Sequence, residues 1–320
     1  MKSAGPPLRL GVSSCLLGEE VRWNGGHKRD RHLLDLLGPH VEWFPLCPEV
    51  EIGLGTPRET IHLIGSVDSP RLVGTKSKAD HTEAMESWAR SAMAQIDGWK
   101  LHGFVLKRAS PSCGLFRVKV MNAKGMPEHK GQGVFARELA ARFPLMPMEE
   151  EGRLCDSVLR ENFVERLFVN QRWQALLDED PTPRGLVRFH TRHKLSLLAH
   201  DPEIYRELGR LVADAGRAEW AELTRAYGER LFAGLIRPAS RGRHRNVLHH
   251  LMGFVKDRLT AVDKAELLET IDDYAAGLAP LLVPVTLLKH HLRRGEAPDW
   301  VHEQYYLEPY PKELMLRSHV

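Results

Sequence analysis

Residues 9–16 have the sequence RLGVSSCL, a short apolar segment that ends on a cysteine and passes into a glycine-rich polar turn. Apolar runs of this length, bounded by turn residues, are typical of buried β-strands. The same arrangement returns in VEWFPLCPEV at 41–50 and in LHGFVLKRAS at 101–110, which leads into PSCG. The sequence therefore predicts three strands, each followed closely by a cysteine.

Helical patterns alternate with these strands. DHTEAMESWARSAMAQI at 80–96 repeats its apolar residues at helical spacing behind Asp80, and GVFARELAARF at 133–143 predicts a second helix. RLVGT at 71–75 adds a short strand. The alternation predicts an α/β domain with a largely parallel sheet. Because such sheets gather ligands beyond the C-terminal ends of their strands, we expect Cys15, Cys47 and Cys113 at that edge.

The second half of the chain has a different pattern. A chain of 320 residues is long enough for two domains. An amphipathic connecting helix is predicted over 155–177, a linker rich in proline and acidic residues over 178–185, and five further helical segments beyond it. We therefore predict an N-terminal domain over 1–177, whose α/β core extends to about residue 150, and an all-α domain over 186–320.

Composition indicates a folded protein without a membrane anchor. The chain is 42% hydrophobic and 27% charged, near the globular average. Its most apolar segment, Ala275–Leu288, contains Pro280 and Pro284, so no run reaches the ~18 residues of a membrane span. Prolines and an arginine interrupt residues 6–9, so we expect no lipoprotein signal before Cys15. We expect a cytoplasmic protein whose thiols stay reduced.

Charge is distributed unevenly along the chain. The net charge is +3, but from Arg184 onward arginine outnumbers lysine 16 to 5. Arginine suits phosphate and RNA recognition because its planar group binds two oxygens at once. Acidic residues nearly balance the basic ones there, which favours an ordinary solvated helical surface. RNA contact through the C-terminal domain, including the basic stretch 238–250, remains an alternative.

Three of the four cysteines lie in turns formed by proline and glycine, where thiolates can converge on a soft metal or an iron-sulfur cluster. Structural zinc would require four ligands, often in close pairs, and no such pair exists. A buried thiol that only packs is the common alternative. The spacings of 32 and 66 residues between Cys15, Cys47 and Cys113 leave both interpretations open. Cys155 is expected to be an ordinary cysteine.

Five irregular segments then carry a family resemblance. VSSCLLG, VRWNGGHK, CPEVEIGLGTPRE, KRASPSCG and EGRLCDSVLRENFVERLF occur in this order and together resemble the thiouracil desulfidase family. From about Arg184 to Tyr310, beginning with VRFHTRHKLSLLAHDPEIYRELG, the chain resembles the YbgA-like helical domain that is often fused to it. The resemblance covers essentially the whole chain.

The resemblance implies a 4Fe-4S cluster held by Cys15, Cys47 and Cys113, with a fourth iron left open to bind the sulfur of a thiolated uracil. It implies catalytic roles for Glu49 and Ser110. The expected reaction converts a thiouracil derivative, 4-thiouridine 5′-monophosphate by our prediction, to UMP and hydrogen sulfide without electron exchange.

The residue types suit this chemistry. An open iron is a Lewis acid that withdraws electron density from the thiocarbonyl carbon, so water can attack there. Glu49 could deprotonate that water or pass a proton to the ring, and Ser110 could orient the water or relay a proton. From the residues alone, Glu49 could equally be a solvated carboxylate at a strand end and Ser110 a turn residue. Ser112, also a candidate substrate contact, is expected to serve the turn or a cluster sulfur.

Two loops are candidates for holding a substrate phosphate. The first offers flexible backbone N–H groups and basic side chains, at Gly25, Gly26, His27 and Lys28. The second precedes a predicted helix and offers Thr75 and Lys76. Either could instead be an ordinary solvated loop.

A second function class stays open at this stage. The chain could be an RNA-associated binding or sensory protein, with a structural cluster and an arginine-rich helical domain that docks RNA. Release of sulfide from a thiopyrimidine would distinguish the enzyme from this alternative.

Overall fold

The computed structural model describes residues 6–295 and 297–320. The chain forms two compact units, the first ending at Cys155 and the second beginning at Asp156. Each unit has a hydrophobic core of its own.

Strands and helices alternate in the first unit. Its strands are β1 (Leu8–Ser13), β2 (Val41–Leu46), β3 (Ile61–Gly65), β4 (Pro70–Gly74), β5 (Gly103–Leu106), β6 (Val118–Met121), β7 (Pro127–Gly131) and β8 (Met148–Glu150). Its helices are α1 (Arg31–Leu37), α2 (Pro48–Glu51), α3 (Thr82–Gly98) and α4 (Val134–Arg142).

A four-stranded parallel sheet positions the site. Its order is β2-β1-β5-β8, and every adjacent pair runs parallel. β1 lies in the interior of the sheet with Leu10 and Val12 fully buried, and all four residues of β5 are buried. Strands covered on both faces are continuous apolar runs, which is why the sequence made them recognisable. The predicted α/β architecture with a largely parallel sheet is confirmed.

A second, mixed sheet was not predicted. Its order is β4-β3-β6-β7, with antiparallel pairs at both ends and a parallel pair of β3 with β6. Only the strand at 71–75 was recognised. β7 has the sequence PEHKG and lies at the edge of the sheet mostly exposed, so it carries no apolar signal.

Helix α3 covers the core between the two sheets. Its buried residues are Met85, Ala89, Ala92, Met93 and Ile96, on one helical face as the sequence predicted. They pack with Leu63 and Leu72 of the mixed sheet and Phe104 of the parallel sheet, among other buried residues. The two sheets and α3 therefore share one core.

Among its described residues the second unit contains helices and no strand, which confirms the predicted all-α half. Its helices are α5 (Ser157–Glu179), α6 (Pro183–His200), α7 (Pro202–Ala213), α8 (Trp220–Leu235), α9 (Arg241–Met252), α10 (Ala261–Ala276), α11 (Leu282–Arg294) and α12 (Asp299–His302). α5, predicted as part of the N-terminal domain, contacts α6 and α8 of the second unit. Helix α6 begins at Pro183, a position in the first turn where the backbone needs no amide hydrogen. Only residues 180–182 therefore separate α6 from α5.

The apolar stretch 275–288 is shared between two helices. α10 ends at Ala276, Gly277 adopts a left-handed φ of 83°, and α11 begins at Leu282. Pro284 lies within the first turn of α11, where its missing N–H costs nothing. Within the described part of the chain, no helix has the length and apolar character needed to cross a membrane.

Candidate active site

A cavity of about 240 Å³ opens in the first unit, close to the C-terminal ends of β1, β2 and β5. The three strands are parallel neighbours, so the loops that follow them meet at one edge of the sheet. Three cysteines, one from each loop, line this cavity. We call it the thiol cavity, defined by Cys15, Cys47 and Cys113.

Each thiol is placed by a tight backbone turn. Cys15 lies in the 3-10 turn directly after β1, Cys47 is the N-cap residue of α2, and Cys113 follows the turn that begins at Ser110. Cys15 and Cys113 are buried, Cys47 is half-buried, and all three are free thiols. Cys155, the fourth cysteine, is exposed and does not line the cavity.

The cavity holds the thiols in their protonated form. Burial, reinforced by the neighbouring Cys47, raises the pKa of Cys15 to about 11. Burial also raises the pKa of Cys113 well above its ordinary value and raises that of Cys47, although the Val50 N–H that donates to the Cys47 sulfur opposes this. Metal ligation requires thiolates. A bound cation would therefore have to displace the protons.

Three thiols around one cavity are a donor set of the kind that an iron-sulfur cluster uses. A tetrahedral ion with sulfur bonds of about 2.3 Å brings its ligands within about 4 Å of one another. Among residues 6–295 and 297–320, no group of three or more His, Cys, Asp or Glu side chains is arranged to hold one metal ion. A cluster places its cysteines on separate iron atoms and so spaces them more widely. Three thiols around one cavity fit that demand.

Glu49 lines the thiol cavity from the first turn of α2. Arg58 donates to its Oε2 from Nε at 3.0 Å and from Nη2 at 2.6 Å. The Ser112 hydroxyl donates to its Oε1 at 3.0 Å. Arg58 is itself fixed, because it also donates to the carbonyls of Val21 and Gly55. Both carboxylate oxygens are therefore held, and the charge is compensated by a guanidinium.

Arg58 was not singled out from the sequence, although it lies in the CPEVEIGLGTPRE segment. Its side chain is only 6% exposed, which is unusual for an arginine on a loop. No local pattern indicates that a loop residue nine positions after Glu49 returns to bind it.

The two serines of SPSCG have different surroundings. Ser110 lines the cavity, and its hydroxyl oxygen accepts from the backbone N–H of Ser112 at 3.2 Å and of Cys113 at 3.1 Å. A hydroxyl that accepts twice keeps its own proton to donate. Ser112 is fully buried, does not line the cavity, and holds Glu49. The turn-forming contacts expected of Ser112 are made by the Ser110 oxygen.

The Gly25–Lys28 loop lies beside the cavity without lining it. Its backbone donors are largely engaged: the N–H of Gly25 binds the Arg22 carbonyl, that of Gly26 the Asn24 side chain, and that of Lys28 the Cys15 carbonyl. The His27 and Lys28 side chains are exposed. The loop thus secures the backbone of Cys15.

The second candidate loop already contains an anion. The Glu59 carboxylate accepts from the backbone N–H of Lys76 and Ser77 and from the Ser77 hydroxyl, and these bonds lower the pKa of Glu59 to about 2. Thr75 bonds Thr60, a cavity residue, at 2.9 Å between hydroxyls. A phosphate at Lys76 would have to displace Glu59.

Further cavity residues were not predicted from the sequence. Trp23 is 44% exposed, so its ring offers an aromatic surface beside the thiols. Arg22, Lys107 and Arg108 supply cations, of which Lys107 pairs with Glu151. Trp23 and Lys107 lie in VRWNGGHK and KRASPSCG, two of the segments that carry the family resemblance, and that position could have identified them from the sequence. Their side chains make the cavity suitable for a flat, anionic ligand.

Comparison with known proteins gives two families. The 2-thiouracil desulfurase family matches residues 10–151, and a family described as a protein of unknown function, DUF1722, matches residues 194–311. The uncharacterized protein YbgA of Escherichia coli (strain K12) is 33% identical over 156 residues, 48% of this chain and 90% of YbgA. The uncharacterized protein YbbK of Bacillus subtilis (strain 168) is 35% identical over 108 residues, 32% of this chain and 71% of YbbK.

A solved structure is also similar. It is described as a [4Fe-4S]-dependent thiouracil desulfidase, TudS, and has 31% sequence identity with this chain. The match covers 46% of this chain and 93% of that one, with a TM-score of 0.38.

Proposed function

Because this chain belongs to the 2-thiouracil desulfurase family, with a YbgA-like helical domain fused to it, we propose that its thiol cavity removes sulfur from a thiolated uracil derivative. The observation that carries the proposal is the meeting of three thiols from three separate strand ends around one cavity. Glu49 and Ser110, both on the cavity wall, supply the polar groups that such a reaction requires.

Cys15, Cys47 and Cys113 are the proposed ligands of a 4Fe-4S cluster. When bound, a cluster with three cysteine ligands supplies one iron without a protein ligand, a Lewis acid for the thiocarbonyl sulfur. Burial raises the pKa of Cys15, and the charges of Lys107 and Arg22 offset part of that rise, in the direction of the thiolate form that ligation needs. The chain's own part in the reaction is carried by other side chains.

Glu49 is the proposed acceptor of a proton from the attacking water. Water forms a bond to the thiocarbonyl carbon, the carbon–sulfur bond breaks, and sulfur leaves as hydrogen sulfide with the two protons that water brings. Arg58, which also lines the cavity, and the buried Ser112 hold the two oxygens of Glu49, so the carboxylate keeps one orientation. An oriented base needs no rearrangement in the transition state.

Ser110 is the proposed proton relay, whose hydroxyl passes on a proton that comes from the attacking water and regains its own. Its two acceptor positions are taken by the N–H groups of Ser112 and Cys113, which directs its own O–H elsewhere. The hydroxyl can donate to the ring or to the departing sulfur. The same bonds tie Ser110 to the backbone of Cys113, so the donor is fixed relative to that thiol.

The proposed substrate is 4-thiouridine 5′-monophosphate, which yields UMP. Arg22 and Arg108 on the cavity wall pair with no carboxylate among the described residues, which leaves two guanidinium groups for a phosphate. The exposed ring of Trp23 can stack on a pyrimidine. The remaining candidate substrate contacts do not line the cavity, so they are weaker candidates than Arg22, Arg108 and Trp23. They are Gly25, Gly26, His27, Lys28, Thr75 and Lys76.

The test is sulfide release by anaerobically reconstituted protein from thiouracil, 4-thiouridine and its monophosphate. We expect the monophosphate to give the highest kcat/KM. Cys15→Ala should lose both iron and sulfide release, whereas Cys155→Ser, the matched control at the exposed cysteine, should keep both. Full iron content in Cys15→Ala, or no sulfide from any of the three substrates, would overturn the proposal.

A further inference from the structure

The second unit contains a cavity of its own, of about 280 Å³. It lies beside α5 and α6, and Tyr305, after α12, contributes to its wall. Its charged lining residues are Arg172, Arg188, Arg192, Glu179 and Asp180. Three guanidinium groups thus face two carboxylates. We call it the arginine cavity.

Arg172 is the inner cation of this cavity. Its Nη1 is buried and has no hydrogen-bond partner among the described residues, while Nη2 donates to the Pro309 carbonyl. The guanidinium lies 3.7 Å from the centre of the Tyr305 ring. Burial lowers the pKa of Arg172 to about 10, so the group stays charged at neutral pH. A charged donor buried without a partner is costly to keep unless something binds it.

The other two arginines are more exposed. Arg188 pairs with Asp180 at 2.6 Å and Arg192 pairs with Glu303 at 3.0 Å. Their side chains are 57% and 35% exposed, so these pairs are open to solvent and contribute little to stability. Each guanidinium has five N–H donors, and the pairs leave several of them free for a third group.

We propose that the arginine cavity binds a small oxyanion, a phosphate monoester or a carboxylate, between the guanidinium group of Arg172 on its wall and those of Arg188 and Arg192. Guanidinium groups bind both anions through two parallel hydrogen bonds. The volume lies near the lower limit of ligand sites, about 300 Å³, which suits a ligand of few atoms. The site is independent of the thiol cavity and would exist if the proposed desulfidase activity were absent.

The experiment titrates the full chain with inorganic phosphate and, separately, with malonate, by calorimetry at constant ionic strength in chloride. NMR of protein labelled with ¹⁵N-arginine locates the binding, since the side-chain signal of Arg172 should shift as the ligand is added. The tighter of the two probes identifies phosphate or carboxylate as the ligand class.

Three variants decide the outcome. Arg172→Gln should weaken binding at least tenfold, and Arg192→Gln, which leaves the buried core intact, should weaken it several-fold. Arg225→Gln should change nothing, because Arg225 is 64% exposed and paired with Glu229 within α8. If the Arg172 signal does not shift, or if Arg192→Gln binds as tightly as the parent, the proposal is wrong.

Discussion

Removing Arg58 provides the sharpest test of the proposed catalytic arrangement. Arg58 and Glu49 form an ion pair in which the side chains are only 6% and 16% exposed. Breaking a buried pair from one side leaves an uncompensated charge and costs about 3–5 kcal/mol. Because Glu49 keeps some contact with water and its bond from Ser112, we expect Arg58→Gln to lower the free energy of unfolding by about 3 kcal/mol, at the low end of that range.

Arg58→Gln should lower kcat only because it changes the position of the Glu49 carboxylate. We expect Glu49→Gln to lower kcat by about 10²- to 10⁴-fold, the usual contribution of a general base. Arg58→Gln should lower kcat less, with KM and iron content unchanged, because it only releases the orientation of the carboxylate. Arg58→Lys should fall between the parent and Arg58→Gln, since it keeps the charge and loses the planar fork.

The double variant gives the refuting result. If Arg58 acts through Glu49, Arg58→Gln adds no further loss of kcat once Glu49→Gln is present, and the two stability costs are non-additive by about 0.5–3 kcal/mol. The assays are anaerobic sulfide release at matched iron content and denaturant unfolding of all four proteins. If the loss of kcat in the double variant equals the product of the two single losses, Arg58 acts independently of Glu49 and is not a positioning residue.

Two further predictions concern the framework of the first unit. Gly133→Ala should lower the free energy of unfolding by about 1–3 kcal/mol and lower the iron content, because a Cβ there would overlap the backbone of Ser112 and Cys113. Gly98→Ala is the matched control for both measurements, since a Cβ at that position meets nothing within 4 Å. Burial lowers the pKa of His102 to about 4, so its neutral form is favoured in the folded state and stability is lost as pH falls from about 6.5 toward 4. His102→Asn should reduce the slope of the unfolding free energy across that pH interval, to which the buried His190, His193 and His244 also contribute, and an unchanged slope would contradict the assignment.

The parallel sheet was predictable because its central strands are buried on both faces. β1 and β5 are short apolar runs, and their length and flanking turns identified them without tertiary information. The mixed sheet was not predictable from the sequence. Its strand β7 is polar, and the pairing of β3 with β6 joins segments that are distant in sequence. Helix α5 was found as a helix, but its assignment to a unit depends on packing partners that periodicity does not reveal.

The meeting of the three thiols at one edge of the sheet was predicted, and the contacts that hold Glu49 were not. The position of each cysteine after a strand indicated a common edge, and the resemblance to the family, which the comparisons confirm, selected Glu49 and Ser110. Arg58 and Ser112 reach Glu49 across 9 and 63 residues, and no local rule predicts those contacts. The loop at Thr75–Lys76 had the composition of an anion site, and the anion bound there is the chain's own Glu59.

The three thiols belong to loops that only the finished parallel sheet brings together. Cys15, Cys47 and Cys113 are separated by 32 and 66 residues, so closing these long loops costs entropy that strand pairing and core packing must offset. The order in which the cysteines are synthesised therefore matters for assembly of the site. A ribosome releases the third cysteine long after the first, so an emerging chain would offer the proposed cluster at most two of its three proposed ligands. On that ligand set, cluster insertion would follow folding, and the first unit would have to be stable before a cluster is bound.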